Sequence, residues 1–407
     1  MDNFAQIALV FATAFAVTYI TVPFSKWIGR KIGALDHPGK RRVNTEVIPR
    51  CGGISLYLGL LAGCAVLWTG CTFYGWSAFD LYTVGEVNLV VLLVGVSTMF
   101  CVGLVDDIVQ LSAPVKFAGQ VVASLIVAVS GVTVGAVRGL GEGYYELGWL
   151  NVPVSVLYLV VFVNITNLID GLDGLASGVA AICAGGLCYL VATRGSLTLM
   201  LVCIALIAVC LAFLRYNFYP ATVFMGDSGA LLLGLVLGIV SIVGVVRTQS
   251  FVMMLVPLVI AGVPVLDTLA AIIRRLIQHQ SIGTADAGHV HHRLLSRGIG
   301  QIRSVLILWT VTAAAAVAGC ALSGATGWFR FALLITLIAV AFVLLWKLGL
   351  SEKVMQHHYR NRGKVGPRYV LDDDGALVDA EELFDSAAAG DRARVSAASA
   401  EGGVSGR

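Results

Sequence analysis

Eleven predominantly apolar runs recur along this chain, each long enough as a helix to cross a bilayer core, which takes roughly 17 to 25 residues. They are 5–24, 52–69, 87–105, 117–136, 152–169, 175–193, 197–214, 228–246, 251–272, 304–322 and 329–347. Inside a bilayer no water is available to the backbone, so such runs close their hydrogen bonds as helices. Composition agrees. Hydrophobic residues make up 58% of the 407 and charged residues only 13%, about half the share of a soluble domain. The expectation is an all-α, polytopic integral membrane protein. The first run, Ile7 to Val22, has no basic segment before it and no small-residue cleavage site after it, and reads as a retained span. The nine cysteines contain no CxxC pair and mostly fall inside apolar runs, so neither a disulfide framework nor a cysteine metal cluster is expected. The net charge of +3 says little about partners, and no nucleic-acid partner is expected.

The connections alternate in charge. Segment 25–50 carries seven Lys/Arg, 273–303 carries five and the stretch from Lys347 onward carries nine, whereas 70–86 and 323–328 carry none. Basic connections favour the cytoplasmic side. Placing 25–50 inside puts the N-terminus outside and the C-terminus in the cytoplasm. Residues 1–350 form the expected membrane domain. Residues 351–407, rich in Ala, Gly, Ser, Asp and Arg, form an expected cytoplasmic tail, largely disordered, in which RYVLDDDGALVDAEELF is the one candidate for a small ordered element.

The acidic residues and histidines fall on that same inner side. Acids at a bilayer margin are costly, so a convergent set marks a site, and a one-sided acidic site suits a divalent cation and a phosphorylated substrate. Asp106 and Asp107 end span three, about 100° apart on a helix, so one can face a metal or a proton while the other orients a basic group. Asn164, Asn167, Asp170 and Asp173 recur every third residue with Gly171 and Gly174 between them, a pattern expected along one helix face and suited to a nucleobase, a ribose or a cation. Asp227 stands at the start of span eight in FMGDSG, at a helix N-terminus, placed to hold Mg²⁺ against phosphates or to act as an N-cap. Asn217, ten residues upstream, is its candidate companion. His289, His291 and His292, with Asp286 before and Arg293 after, lack the spacing of a zinc site and read as phosphate or sugar contacts. In the first inner loop Lys40, Arg41, Arg42 and Arg50 can hold phosphates or anionic headgroups. Asp267, inside span nine, reads equally as catalytic or as the partner of a base such as Arg50 or Lys116.

Taken in order, these segments resemble the polyprenyl-phosphate N-acetylhexosamine-1-phosphate transferase family, glycosyltransferase family 4. The motifs are Asp36/Pro38/Arg41/Arg50/Gly52/Gly53, then Gly103/Asp106/Asp107, Asn164 to Leu175, Asn217 to Gly229, and His289 to His292. The HVHH form and the eleven spans look more like the undecaprenyl-phosphate GlcNAc-1-phosphate transferase branch than the peptidoglycan branch. The resemblance implies a Mg²⁺-dependent phosphotransferase, with Mn²⁺ as an alternative, acting at the cytoplasmic face of a bacterial inner membrane. It would pass N-acetylhexosamine 1-phosphate from a UDP-sugar to undecaprenyl phosphate, release UMP, and so start a cell-wall, teichoic-acid or lipopolysaccharide O-antigen lipid. It further implies Asp227 as the metal ligand and Asp106 and Asp107 on the lipid-phosphate side. Asn167, Asp170 and Asp173 fall on the nucleotide side, the histidine loop on the diphosphate and sugar, and a homodimer would fit. Two positions depart from the pattern: Asn44 stands where a His is common, and Ala287 where a base follows the Asp. The competing expectation is a transporter or ion pathway using the same acids, which calls for acids near mid-membrane and internal repeats.

Overall fold

The computed structural model describes residues 3–36, 47–76, 87–138, 144–246, 251–277, 290, 294–295, 298–347, 369–371 and 377–379. Contacts divide the chain into two units, Met1–Ser351 and Glu352–Arg407. In the first unit twelve helices are traced among the described residues: α1 Asn3–Ile32, α2 Gly52–Phe73, α3 Leu89–Val109, α4 Ala113–Val129, α5 Asn151–Ile169, α6 Leu175–Thr193, α7 Leu197–Asn217, α8 Gly226–Ser241, α9 Phe251–Ile260, α10 Gly262–Ile277, α11 Gln301–Gly324 and α12 Gly327–Lys347. Eight are long and apolar enough to cross a membrane: α1, α2, α3, α5 with the 3₁₀ turn before it, α6, α7, α8 with the π turn after it, and α11. The protein is an all-α, multi-pass membrane protein. In the second unit Tyr369–Leu371 pairs antiparallel with Leu377–Asp379, Val370 opposite Val378. This hairpin falls within the stretch expected to be ordered; Asp372 to Asp374 and the rest of the tail lie outside the described residues.

The spine of the bundle is α8, whose residues are buried from Ser228 through Ser241. It packs against α3, α5, α2, α6 and α7, while α1 closes on α2 and α7, and α11 on α6 and α9. Between lipid-facing helices there is little hydrophobic drive, so close packing depends on small residues. Gly234 illustrates this: a Cβ there would lie 2.7 Å from the Phe162 carbonyl oxygen. Hydroxyls pair between helices, the buried Tyr158 with Ser241 at 2.6 Å and the part-buried Tyr57 with Ser97 at 2.7 Å.

Two expected spans differ in the structure. The run 251–272 is broken into α9 and α10. Pro257 removes a helical donor, and the Ala261-Gly262-Val263-Pro264 sequence ends one helix and starts the next with a proline in its first turn. The run 117–136 becomes α4, beginning at Ala113 behind Ser112 with a proline in its first turn and ending before Gly131, at φ +103. The apolar residues beyond it form a strand, Ala136–Arg138, paired with Tyr144–Glu146.

Candidate functional site

The first-loop motif folds as an extended segment between two partners. Ile48–Pro49 pairs with Leu35–Asp36, and Arg50 N–H donates to the Ala34 carbonyl. On its other edge Gly52 and Gly53 N–H donate to the Phe224 and Met225 carbonyls at 3.0 and 2.9 Å. This brings the start of α2 against the start of α8 at backbone distance. A Cβ on Gly53 would lie 2.3 Å from the Gly229 nitrogen, and one on Gly103 would lie 2.5 Å from Ser228 Cα. Gly226 takes a positive φ of +72, and any side chain there would strike the Arg50 carbonyl at 2.2 Å and the Asp107 carboxylate at 2.5 Å. The glycines of three separated motifs are therefore explained by one convergence.

Asp107 locks that convergence. Its Oδ1 accepts Asp227 N–H at 2.7 Å, and its Oδ2 accepts Ser228 N–H at 3.0 Å and the Ser228 hydroxyl at 2.6 Å. Its side chain is 0% exposed. The position before α8 is Met225, which supplies no cap, so Asp107 caps this helix from α3. The alternative expectation, Asp227 as the N-cap, is thereby corrected. Asp227 lies inside the first turn with its carboxylate directed away from the helix's own donors, and its charge favours that end of the helix dipole.

Asp227 sits in a mixed-charge cluster. Oδ1 receives Lys116 Nζ at 2.6 Å and the Asn167 amide; Oδ2 receives Arg50 Nη2 at 3.3 Å. Lys116 Nζ also reaches Asp106 Oδ2 at 2.9 Å and Asn167 Oδ1 at 3.4 Å. Arg50 lies 3.8 Å from Asp36 and from Asp107. Burial works against the Arg50 charge, but Asp107, Asp227, Asp36 and Asp170 outweigh it and raise the guanidinium pKa. Next to it, burial and then the charge of Asp107 push the Cys51 thiol up to about 12, so Cys51 is no thiolate nucleophile. Asp106 Oδ1 accepts Leu111 N–H at 2.7 Å, shaping the α3–α4 turn. Arg50, Asp106, Asp107, Asn167 and Asp227 thus converge as the sequence suggested. Lys116 is the site residue that the sequence reading missed. Its signal was present: it is the sole base of the connection after the two aspartates.

The Asn/Asp repeat divides between helix and turn. Helix α5 ends at Ile169, so the one-face expectation fails beyond Asn167: Asp170 is the C-cap and Asp173 lies in the following turn, where Gly174 has φ +77. Asn164 reaches Gln120 on α4 at 2.7 Å, acting as a polar tie between helices. Burial, reinforced by the charge of Asp227, pushes the Asp170 carboxyl up to about 7. Burial also raises Asp173, against the Ala221 N–H at 2.9 Å that holds its charged form. Asn217 is committed elsewhere than expected. Its Oδ1 accepts Gly174 N–H and the Ser177 hydroxyl, both at 3.1 Å, and its amide donates to the Val223 carbonyl at 3.0 Å. It joins α7 to the 170–178 turn rather than accompanying Asp227. Asp267 pairs with neither Arg50 nor Lys116, which are held by the other aspartates; it accepts Val290 N–H. Lys40, Arg41, Arg42, Asn44, Asp286, Ala287, His289, His291, His292 and Arg293 lie outside the described residues.

The donor set tests whether Mg²⁺ fits here. Among the described residues no three His, Cys, Asp or Glu side chains form a ligand cage. Asp227, Asp106 and the Asn167 amide oxygen do offer hard oxygen atoms around one point, marked by Lys116 Nζ. Mg²⁺ commonly uses one or two carboxylates and completes its shell with water and phosphates, so the residues fit it.

The fold and site thus define a membrane-embedded protein with a carboxylate–base cluster at one end of its bundle. The glycosyl transferase family 4 profile matches residues 89–245, which carry Asp106, Lys116, Asn167, Asp170 and Asp227. The chain is 34% identical over 354 residues to a Bacillus subtilis protein named probable undecaprenyl-phosphate N-acetylglucosaminyl 1-phosphate transferase, covering 86% of this chain and 95% of that one. It is 34% identical over 329 residues to the decaprenyl-phosphate N-acetylglucosaminephosphotransferase of Mycolicibacterium smegmatis, covering 75% and 79%. A phospho-N-acetylmuramoyl-pentapeptide-transferase of Moorella thermoacetica matches at 35% over 238 residues, covering 54% and 71%. The chain belongs to glycosyl transferase family 4. The transporter reading is not favoured: the acids gather at helix ends on one side, and the relatives are named as transferases.

Proposed function

We propose that this protein transfers N-acetylglucosamine 1-phosphate from UDP-N-acetylglucosamine to undecaprenyl phosphate at the cytoplasmic face of a bacterial plasma membrane, releasing UMP. The observation that carries this reading is the Asp227 carboxylate held between Lys116 and Arg50 at the end of the bundle where four of the motifs meet. An oxygen of the lipid phosphate attacks the sugar-bearing phosphorus of the donor. The bond from that phosphorus to the bridging oxygen breaks, and UMP leaves with the bond's electron pair. The lipid phosphate is already ionised at neutral pH, so no general base is required. The protein's task is alignment and charge neutralisation. Asp227, with Asp106 and the Asn167 amide, would hold Mg²⁺ or Mn²⁺, which when bound supplies charge neutralisation of phosphate oxygens. Lys116 and Arg50 bring two positive charges to the same phosphates. Asp107 acts on the reaction by fixing the helix that carries Asp227. Asp170 and Asp173 serve the nucleotide side, and the histidine segment with Arg293, together with Arg41, serves the phosphates and sugar. The product would start a lipid-linked cell-envelope polysaccharide.

The test uses purified protein, undecaprenyl phosphate, Mg²⁺ and a panel of UDP-sugars, with UMP as the readout. Lipid-dependent and cation-dependent UMP release with UDP-N-acetylglucosamine is expected, and its loss in Asp227→Asn. Absence of lipid-dependent UMP with every donor would overturn the reading.

A further inference from the structure

Asp267 is an acid within the broken ninth span, and its side chain serves no part of the carboxylate–base cluster. The residue is 3% exposed. A buried carboxylate is retained only where hydrogen bonds compensate its lost hydration. Here Oδ1 accepts the backbone N–H of Val290 at 2.9 Å. Val290 is itself buried in the hydrophobic core, as is Leu294 four residues later. Beyond them Ile299 N–H donates to the Leu294 carbonyl and Gly298 N–H to that of Leu295, closing the turn that enters α11. Val290 is therefore held to the bundle both through its backbone N–H, on Asp267, and through its buried side chain. In the sequence Val290 is the single apolar residue of His289-Val290-His291-His292. The tie falls inside the histidine motif, twenty-three residues from its acceptor. The helix that supplies the acceptor begins afresh at Gly262, so the break in span nine sets where Asp267 stands.

We propose that Asp267 is a positioning residue for the histidine motif: by accepting the Val290 N–H it fixes where that segment is fastened to the membrane domain, and so governs donor binding. This rests on the reading of the histidines as contacts for the donor's phosphates and sugar. A buried donor left without its acceptor weakens a fastening by about tenfold, and here the loss is read as weaker substrate use.

The experiment is a double-mutant cycle on the full-length protein, measuring UMP release with undecaprenyl phosphate and varied UDP-N-acetylglucosamine. Asp267→Ala is expected to raise the donor KM about tenfold with a smaller change in kcat, and Asp267→Asn, which keeps an acceptor oxygen, to restore most of that loss. In a His291→Ala background Asp267→Ala should add less than about twofold, since both changes act through one segment. Full multiplication of the two effects would mark a general structural role and overturn the proposal. So would an unchanged KM in Asp267→Ala while the histidine variants are impaired, an outcome that leaves the histidine reading standing. If replacing His289, His291 and His292 together leaves the donor KM unchanged, the histidine reading fails and this proposal falls with it. Should Asp267→Ala not fold, amide hydrogen exchange of the unaltered protein decides: Val290 is expected to be protected relative to its neighbours, and equal exchange would refute the tie.

Discussion

The two ends of this bundle solve the same problem, closing helix termini at a bilayer margin, with opposite chemistry. At one end every ion pair between described residues is gathered into the Arg50, Lys116, Asp36, Asp106, Asp107 and Asp227 cluster. At the other end no ion pair forms between described residues: the termini are closed by neutral groups and by one cation on backbone carbonyls. The Asn88 side chain caps α3 by accepting Val90 and Val91 N–H at 3.1 Å. Ser155 and Asn151 accept Val134 and Gly135 N–H. Trp76 folds over Gly70, where a Cβ would lie 2.3 Å from its ring. Arg194 donates to the Gly244 and Val245 carbonyls of the π turn after α8. Neutral caps and one guanidinium bound to carbonyls suffice to end these helices, so the buried ion pairs opposite are in excess of structural need. Burying charge is a net cost unless it is compensated, and a set of acids retained against that cost marks the end where the chemistry occurs.

The largest effect should follow from breaking the cluster at its centre. Asp227→Ala is expected to lower lipid-dependent UMP release by at least about a thousandfold, the scale for removing a group that stabilises transferring charge. Lys116→Ala should come close behind, because it leaves Asp106 and Asp227 facing each other without their shared cation. A value for either within tenfold of the unaltered protein would place the chemistry elsewhere. Asp107→Ala is expected to act on both fold and rate. It strands the Asp227 and Ser228 donors, at about 1 to 3 kcal/mol for each buried group left unsatisfied. The detergent melting temperature should therefore drop with activity. Lost activity at an unchanged melting temperature would show that Asp107 touches substrate rather than holding α8.

The contrast between the ends was partly legible in the sequence, and the reason is physical. Charged and strongly polar residues at the ends of apolar runs are rare enough to be informative singly, so Arg50, Asp106, Asp107, Asn167 and Asp227 could be assigned to one side by counting basic residues in loops. Roles were harder, because they depend on which oxygen meets which donor across more than a hundred residues of chain. Nothing local in GLVDD distinguishes Asp107, which caps α8, from Asp106, which pairs with Lys116. Asn217 could be noted as polar and placed, but not assigned to the α6–α7 joint rather than to Asp227. The break of span nine was hidden for a related reason. Hydropathy sums over a window, so the apolar residues on either side of Ala261 are read as one run through the break between α9 and α10.

A pH effect of intermediate size should also separate the ends. The Asp170 carboxyl is raised from 3.8 to about 7. An acid whose folded pKa is raised binds its proton more tightly when folded than when unfolded. Its contribution therefore favours the fold below the unfolded value and is lost as pH rises through the folded one. In cation-free protein the melting temperature is expected to fall between about pH 4 and pH 7, and Asp170→Asn should flatten that part of the profile. An identical slope in the variant would assign the dependence to another group.

The smallest effect is expected at the neutral end, and it tests whether that end is merely structural. Asn88→Ala removes the acceptor for two backbone donors at the start of α3, a loss of about 1 kcal/mol for a helix cap. Helix α3 also carries Asp106 and Asp107, but at its far end, so a frayed first turn should not reach them. The variant should melt a few degrees lower and release UMP at a rate within about twofold of the unaltered protein, since cap loss stays within the first turn. A matched fall in rate and stability would mean that α3 transmits strain along its length. The two ends would then be coupled through it, and the excess of charge at one end would no longer suffice to locate function there alone.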